Sequence, residues 1–216
     1  MKKRLQEIFS LLPECKVFAD IGCDHGYVAK EMITSGKCQK VIISDVSQKC
    51  LDKAIDLLSN EMQNGLVTAV VSDGFDKVDG CDLALIAGMG GEEIVGILNR
   101  AKSLPEKLVL QPMKNSKKVR KTAVSLGYKI LKDYTFFTGK IFYDILLLEK
   151  GTDILTEEEA EFGRTNLKER PTAFIKQLKL KIKNLTDFSK GEKVKKETKK
   201  QMSEEAQRLK TYVDDK

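Results

Sequence analysis

The stretch FADIGCDHGYVAKEM, Phe18 to Met32, opens as an apolar run, turns at Gly22 and takes up helical spacing after Gly26. Strand, glycine turn and helix in that order mark the nucleotide-binding start of an α/β domain. Yet the turn has G-x-x-x-G spacing, not G-x-G-x-x-G, and carries Asp24 beside the chain's single histidine, His25. A carboxylate is costly in a phosphate loop: at ~4 Å a like charge adds roughly 1 to 4 kcal/mol for effective dielectrics of about 80 to 20. The loop therefore disfavours a pyrophosphate and suits a ligand with positive groups.

Outward from this turn the pattern repeats. KVFADIG, KVIISD, VTAVVSDG, CDLALIAG and KLVLQP are short runs rich in Val, Ile and Leu, as parallel strands buried on both faces should be. Between them GYVAKEMITSG, SQKCLDKAIDLLSNEMQNG, GEEIVGILNRAKSL and NSKKVRKTAVSLG have helical spacing, and three of the four close on glycine. The alternation predicts a doubly wound parallel sheet. YKILKDYTFFTGKIFYDILLLEKG then leaves no room for a helix, so Thr138 to Lys140 reads as a hairpin turn. The predicted fold is α/β, a mostly parallel Rossmann-like sheet with a terminal antiparallel hairpin. It resembles the class I S-adenosylmethionine-dependent methyltransferase architecture.

Residues 1–151 are read as this domain and residues 152–216 as a helical tail. In the tail Phe174, Leu178, Ile182, Leu185 and Phe188 recur at steps of four or three. Ser189 to Gly191 breaks the run, and Val194, Met202, Ala206, Leu209 and Val213 carry a weaker stripe. Two antiparallel helices in a coiled-coil-like α-helical hairpin are predicted. Between Pro171 and Lys210 twelve Lys or Arg face five Asp or Glu. That surplus serves either a solvated helical surface or an arm for an RNA backbone. No aromatic stands between Phe188 and Tyr212, so base stacking by the arm is not indicated.

Composition bounds the setting. The chain has 216 residues, 41% hydrophobic and 32% charged, with a formal net charge of +6. That charge is compatible with a nucleic-acid partner without requiring one. No apolar run approaches the ~20 residues of a membrane span, and MKKRLQEIFSLLPE lacks a signal-peptide core, so no membrane association is expected. Five cysteines, Cys15, Cys23, Cys38, Cys50 and Cys81, show no C-x-x-C spacing. With one histidine they argue against a metal site and for a reducing, cytoplasmic setting.

S-adenosylmethionine carries no phosphate and presents an ammonium, a carboxylate and a sulfonium, which an acid-bearing turn accommodates. Asp20, at the end of strand one, is the candidate for the ammonium, while Gly22 and Gly26 frame the turn and the helix N-terminus faces the carboxylate. Asp45, followed by Val46, lies about 20 residues on, where an acid binds ribose hydroxyls; capping of the next helix is the alternative. Ser72, Asp73 and Gly74 after strand three suit the cofactor's adenine. Gly88, Met89, Gly90 and Gly91 after strand four let the backbone pass close to the ligand.

The segments RL at Arg4, ADIGCDHGY, SD, SDGF, IAGMGGEEIVGIL, LVLQP and YDILLLEKG together resemble the bacterial tRNA (adenine-22-N1)-methyltransferase family. The similarity covers essentially residues 1–150 and extends loosely over EFG and the tail; AGMGG followed by LQP is its most specific part. Gly26 stands where the family more often has alanine, and Met113 where it usually has asparagine. The resemblance implies an enzyme that methylates N1 of a tRNA adenine from S-adenosylmethionine, with a tail assisting tRNA binding. Its oligomeric state is open, a monomer being the simplest expectation. Substrate-binding candidates are Arg4, Tyr27, Gln111, Pro112 and Met113. Arg4 is read either as a phosphate contact or as plain surface charge.

N1 of neutral adenine has an in-plane lone pair and attacks a sulfonium methyl without first losing a proton. Positioning and stabilisation of developing positive charge then outweigh a general base. No Asn-Pro-Pro-Tyr, the signature expected for amino-group methylation, follows strand four. The catalytic candidates are Asp24, for charge or base orientation, His25, for contacting the base or closing the pocket, and the backbone at Gly88 and Met89, for accepting from the N6 amino group. Asp24 capping the next helix, and His25 holding the turn, are the plainer alternatives. Two rival functions share these features: a methyltransferase acting on a small molecule or protein, and a non-catalytic RNA-binding protein with a vestigial pocket.

Overall fold

The computed structural model describes residues 2–191 and 194–214; residues 1, 192–193 and 215–216 of the two predicted units lie outside the described residues. A leading helix α1 (Lys3–Leu11) is followed by β1 (Val17–Ile21), α2 (Tyr27–Thr34), β2 (Lys40–Asp45), α3 (Gln48–Leu57), α4 (Ser59–Gln63) and β3 (Val67–Val71). Next come β4 (Leu83–Met89), α5 (Gly91–Arg100), β5 (Lys107–Pro112) and α6 (Ser116–Ser125). The hairpin is β6 (Tyr128–Thr138) and β7 (Ile141–Lys150), and the tail is α7 (Glu157–Phe162), α8 (Arg164–Glu169), α9 (Thr172–Ser189) and α10 (Lys196–Asp214). The expected helix over 47–65 divides at Leu58, and strand three stops at Val71, leaving Ser72 to Gly74 in a turn.

One seven-stranded sheet has the order β3-β2-β1-β4-β5-β7-β6. The first five strands pair in parallel, and β7 enters antiparallel between β5 and β6. The side-chain alternation of each strand explains why the strands read as unbroken apolar runs. Phe18, Ile43, Leu83, Leu85 and Val109 pack on one face against Ile8 and Leu12, Val28 and Met32, and Leu51 and Ala54. Ala19, Ile21, Ala84, Ile86, Leu108 and Leu110 pack on the other against Ile94, Ile97, Leu98, Val119 and Ala123. Both faces are covered, so the middle positions of the strands are mostly apolar, and the polar ones gather toward the strand ends.

Beyond β7 the chain is riveted to the sheet by polar groups. Arg120 and Asp133 are both 0% exposed and pair at 2.8 Å, and Arg120 also donates to the carbonyls of Ala160 and Glu161 in α7. Asn166 of α8 donates to the Thr135 hydroxyl and accepts from the Thr135 N–H, both at 2.9 Å. Gly163, φ +90°, is required at the α7–α8 junction: a Cβ there would lie 2.8 Å from Asp133 and 2.9 Å from Arg120. Phe162, Phe174, Leu178 and Leu209 form a separate small core, and Lys181 of α9 pairs with Glu205 of α10 at 3.0 Å. No described helix is long and apolar enough to cross a membrane.

Candidate functional site

The C-terminal ends of β1, β2, β3 and β4 wall a cavity of about 510 Å³. It sits where the strand order reverses, with β1 flanked by β2 and β4, the crevice that a doubly wound sheet offers to ligands.

Asp20 lies on its floor, 6% exposed. Burial raises its carboxyl to about pH 7; the Ala29 N–H in the first turn of α2 opposes that shift and nearby Asp45 adds to it. Among the described residues Asp20 has no cationic partner. At the end of β2, Asp45 accepts from the Ser47 N–H at 2.9 Å and from the Asp24 N–H at 3.4 Å, while Ser47 itself caps α3 by accepting from Cys50. Asp45 thus spans two loops, and its remaining lone pairs face the cavity rim beside Val46. Asp73 pairs with Arg100 at 2.8 Å, and the Ser72 hydroxyl donates to the Gly74 carbonyl at 3.0 Å, which fixes the turn at the third strand end.

The opening turn is built on left-handed backbone, Gly22 at φ +73°, Asp24 at +46° and Gly26 at +68°. A side chain at 22 would meet the Met89 methyl at 2.0 Å, so the tip of Met89 lies across the exit of β1. Gly26 is the N-cap of α2, no side chain caps that helix, and a Cβ at 26 would strike Ala54 of α3 at 2.9 Å. Asp24 is therefore not a cap. Its carboxylate meets His25 Nδ1 at 2.7 Å and Lys53 Nζ at 3.4 Å. Burial works against its ionisation, and these two partners outweigh it, holding the carboxyl below the usual range. His25 stacks on Tyr27, rings 5.5 Å apart and nearly parallel, and Tyr27 is 48% exposed. Tyr27 with Lys2 and Leu5 also borders an adjoining cavity of about 470 Å³. Burial pushes the Cys23 thiol well up, so it stays a protonated, small loop group.

Opposite this turn, β4 and β5 pair Ala87 with Gln111 and Met89 with Pro112, skipping Gly88. This bulge, at φ +80°, leaves the Gly88 backbone out of the ladder and open to the cavity. Arg4 of α1 lies against it, its Nη1 3.1 Å from where a Cβ would stand, and donates to Gln111 Oε1 at 2.6 Å. Gln111 and Pro112 are buried behind the wall rather than on it, and Gln111 orients Arg4. The Met113 N–H donates to the Met89 carbonyl and the Gly91 N–H to the Lys114 carbonyl, at 2.8 and 3.1 Å. Gly90 and Met113 belong to this brace and lie off the cavity lining.

Sequence reasoning missed Glu93 and Ile97, which face the cavity from one side of α5, and Lys53, which reaches Asp24 from α3. For Glu93 the signal was present: an acid in the first turn after a glycine loop, one helical turn before an apolar residue. Lys53 has none, because only the packing of α3 against the turn brings it near. The acids on the floor and rim and the glycine-lined passage fit S-adenosylmethionine, a ligand with positive groups and no phosphate.

Comparison with known proteins agrees. The profile of a family described as Methyltransferase domain matches residues 1–146. A Mycoplasma pneumoniae protein provisionally assigned as a tRNA methyltransferase is 32% identical over 172 residues, 76% of this chain and 79% of the relative. The Bacillus subtilis tRNA (adenine(22)-N(1))-methyltransferase is 27% identical over 156 residues, 70% of this chain and 66% of that protein. The fold matches M. capricolum TrmK, solved with S-adenosylhomocysteine, at a TM-score of 0.87 and 23% identity, covering 99% of this chain and 98% of that one. Profile, relatives and cavity lead to one assignment: the chain belongs to the methyltransferase-domain family.

Proposed function

We propose that the protein transfers the methyl group of S-adenosylmethionine to N1 of an adenine in tRNA, adenine 22 by likeness to the Bacillus subtilis relative. Bound in the cavity, the donor supplies an electrophilic methyl on a sulfonium. The observation that carries the reading is the Gly88 bulge. It opens an unpaired stretch of backbone and the Arg4 guanidinium into the same cavity as the three strand-end acids. That arrangement suits a base whose N6 amino group needs an acceptor and whose neighbouring phosphate needs a cation. His25 and Tyr27 offer a stacked aromatic wall for a base taken out of its helix, and Asp24 holds His25 in place. No proton acceptor strong enough to deprotonate an amino group is needed, since N1 attacks with its own lone pair.

In this reading residues 1–151 carry the transfer, and the basic α9–α10 hairpin contacts the tRNA backbone. The tRNA substrate and five free thiols favour a cytoplasmic setting. Incubating the protein with unmodified tRNA and S-adenosylmethionine, then mapping the methylated nucleoside, tests the proposal. N1-methyladenosine at position 22 is the expected product. Methylation at another atom, or none, would overturn it.

A further inference from the structure

Five carboxyl groups line the cavity: Asp20, Asp24, Asp45, Asp73 and Glu93. Four already have work. Asp20 is buried on the floor, facing the Ala29 N–H. Asp24 is held between His25 and Lys53. Asp45 bridges two backbone N–H groups, and Asp73 is paired with Arg100. Among the described residues Glu93 has no ion pair or hydrogen-bonding partner for its side chain. Its neighbour Glu92 shows the contrast: it turns outward and is tied to Lys118 of α6 and to Asn115 at that helix's N-cap. Glu93 points the other way, on the same side of α5 as Ile97, whose side chain packs beneath Gly74. It stands three residues after Gly90 and lines the same cavity as Gly88 and Met89 of the bulge.

From this placement we infer that Glu93 is a catalytic residue: its carboxylate accepts a hydrogen bond from the N6 amino group of the target adenine and offsets the charge that forms there. The inference rests on the reading of the protein as an adenine N1-methyltransferase. In that reaction the N1 lone pair forms the new N–CH₃ bond, and the methyl–sulfur bond breaks with its electron pair going to sulfur. No proton leaves. The positive charge moves from the sulfonium to the adenine ring, so an acceptor beside N6 binds the product-like base more tightly than the neutral one, as transition-state stabilisation demands. Asp24 fills this role less well, because His25 and Lys53 already engage its carboxylate.

The test uses the full-length protein and the variants Glu93→Gln and Glu93→Asp. Three quantities are read: S-adenosylmethionine affinity by calorimetry, single-turnover methylation of unmodified tRNA, and relative affinity for tRNA carrying N1-methyladenosine over unmodified tRNA. Expected for E93Q are cofactor affinity within about twofold of wild type, single-turnover methylation down by about 10²-fold and loss of any preference for the cationic, methylated tRNA. E93D should recover part of both losses. Wild-type-like methylation by E93Q, or loss of cofactor affinity that accounts for the rate, would overturn the inference while leaving the adenine N1 reading intact. A wild-type protein that makes no N1-methyladenosine would overturn both.

Discussion

Asp20 shows how one residue can tie ligand binding to pH. Its carboxyl titrates near 7 in the folded chain against an ordinary value of 3.8. Between those values the folded protein keeps a proton that the unfolded chain has released, so the ligand-free protein loses stability as pH rises through that window, and the cost is complete above 7. An ammonium group in the cavity selects the ionised form. Cofactor affinity should therefore rise from about pH 6 to about pH 8, which calorimetric titration across that range checks. Asp20→Asn should weaken binding roughly tenfold or more and flatten the pH dependence. The same variant, free of ligand, should be more stable than wild type at pH 8 by denaturant titration, because it removes a buried charge.

At the scale of elements, the site is a meeting of α1, the β4 bulge and the loop after β5. Arg4 is on α1, yet its direction is set by Gln111 of β5, a fully buried amide that also donates to the Pro112 carbonyl. Arg4→Ala and Gln111→Ala should each lower tRNA methylation by about tenfold while S-adenosylmethionine affinity holds. Because both remove one interaction, the double variant should be little worse than the stronger single one. Additive losses in that cycle would show that Gln111 acts independently of Arg4. The neighbouring brace is less tolerant. A Cβ at Gly91 would lie 2.5 Å from the Lys114 carbonyl, a backbone atom that cannot swing aside, so Gly91→Ala should destabilise the protein by about 1–3 kcal/mol in thermal or urea unfolding.

Across the whole molecule, the tail is joined to the sheet through the Arg120 cluster rather than by a loose linker. Arg120→Met should cost roughly 3–5 kcal/mol, measured by urea unfolding, because Asp133 is left buried and unpaired. Truncation should consequently depend on where the cut falls. Ending the chain at residue 170 keeps α7 and α8 and should preserve cofactor binding while weakening tRNA binding strongly. Ending it at 151 removes the Ala160 and Glu161 carbonyls and the Asn166 amide, and should lower the unfolding temperature by several degrees or more.

The alternating apolar runs determined the sheet, because a parallel strand covered on both faces is apolar along most of its length, and the glycine turn with Asp20, Asp45 and Asp73 marked the strand ends. Those signals are local, and the sequence carries them unaided. Three features were beyond it. Glu93 faces the cavity while Glu92 does not, which depends on how α5 is rotated on the sheet. Gln111 is hidden behind Arg4, which depends on a contact 107 positions apart. Asp24 reaches Lys53 instead of capping α2, which depends on α3 packing against the turn. Periodicity along a chain states which residues are buried, whereas the direction of a polar side chain is set by partners distant in sequence, and only the tertiary structure brings those together.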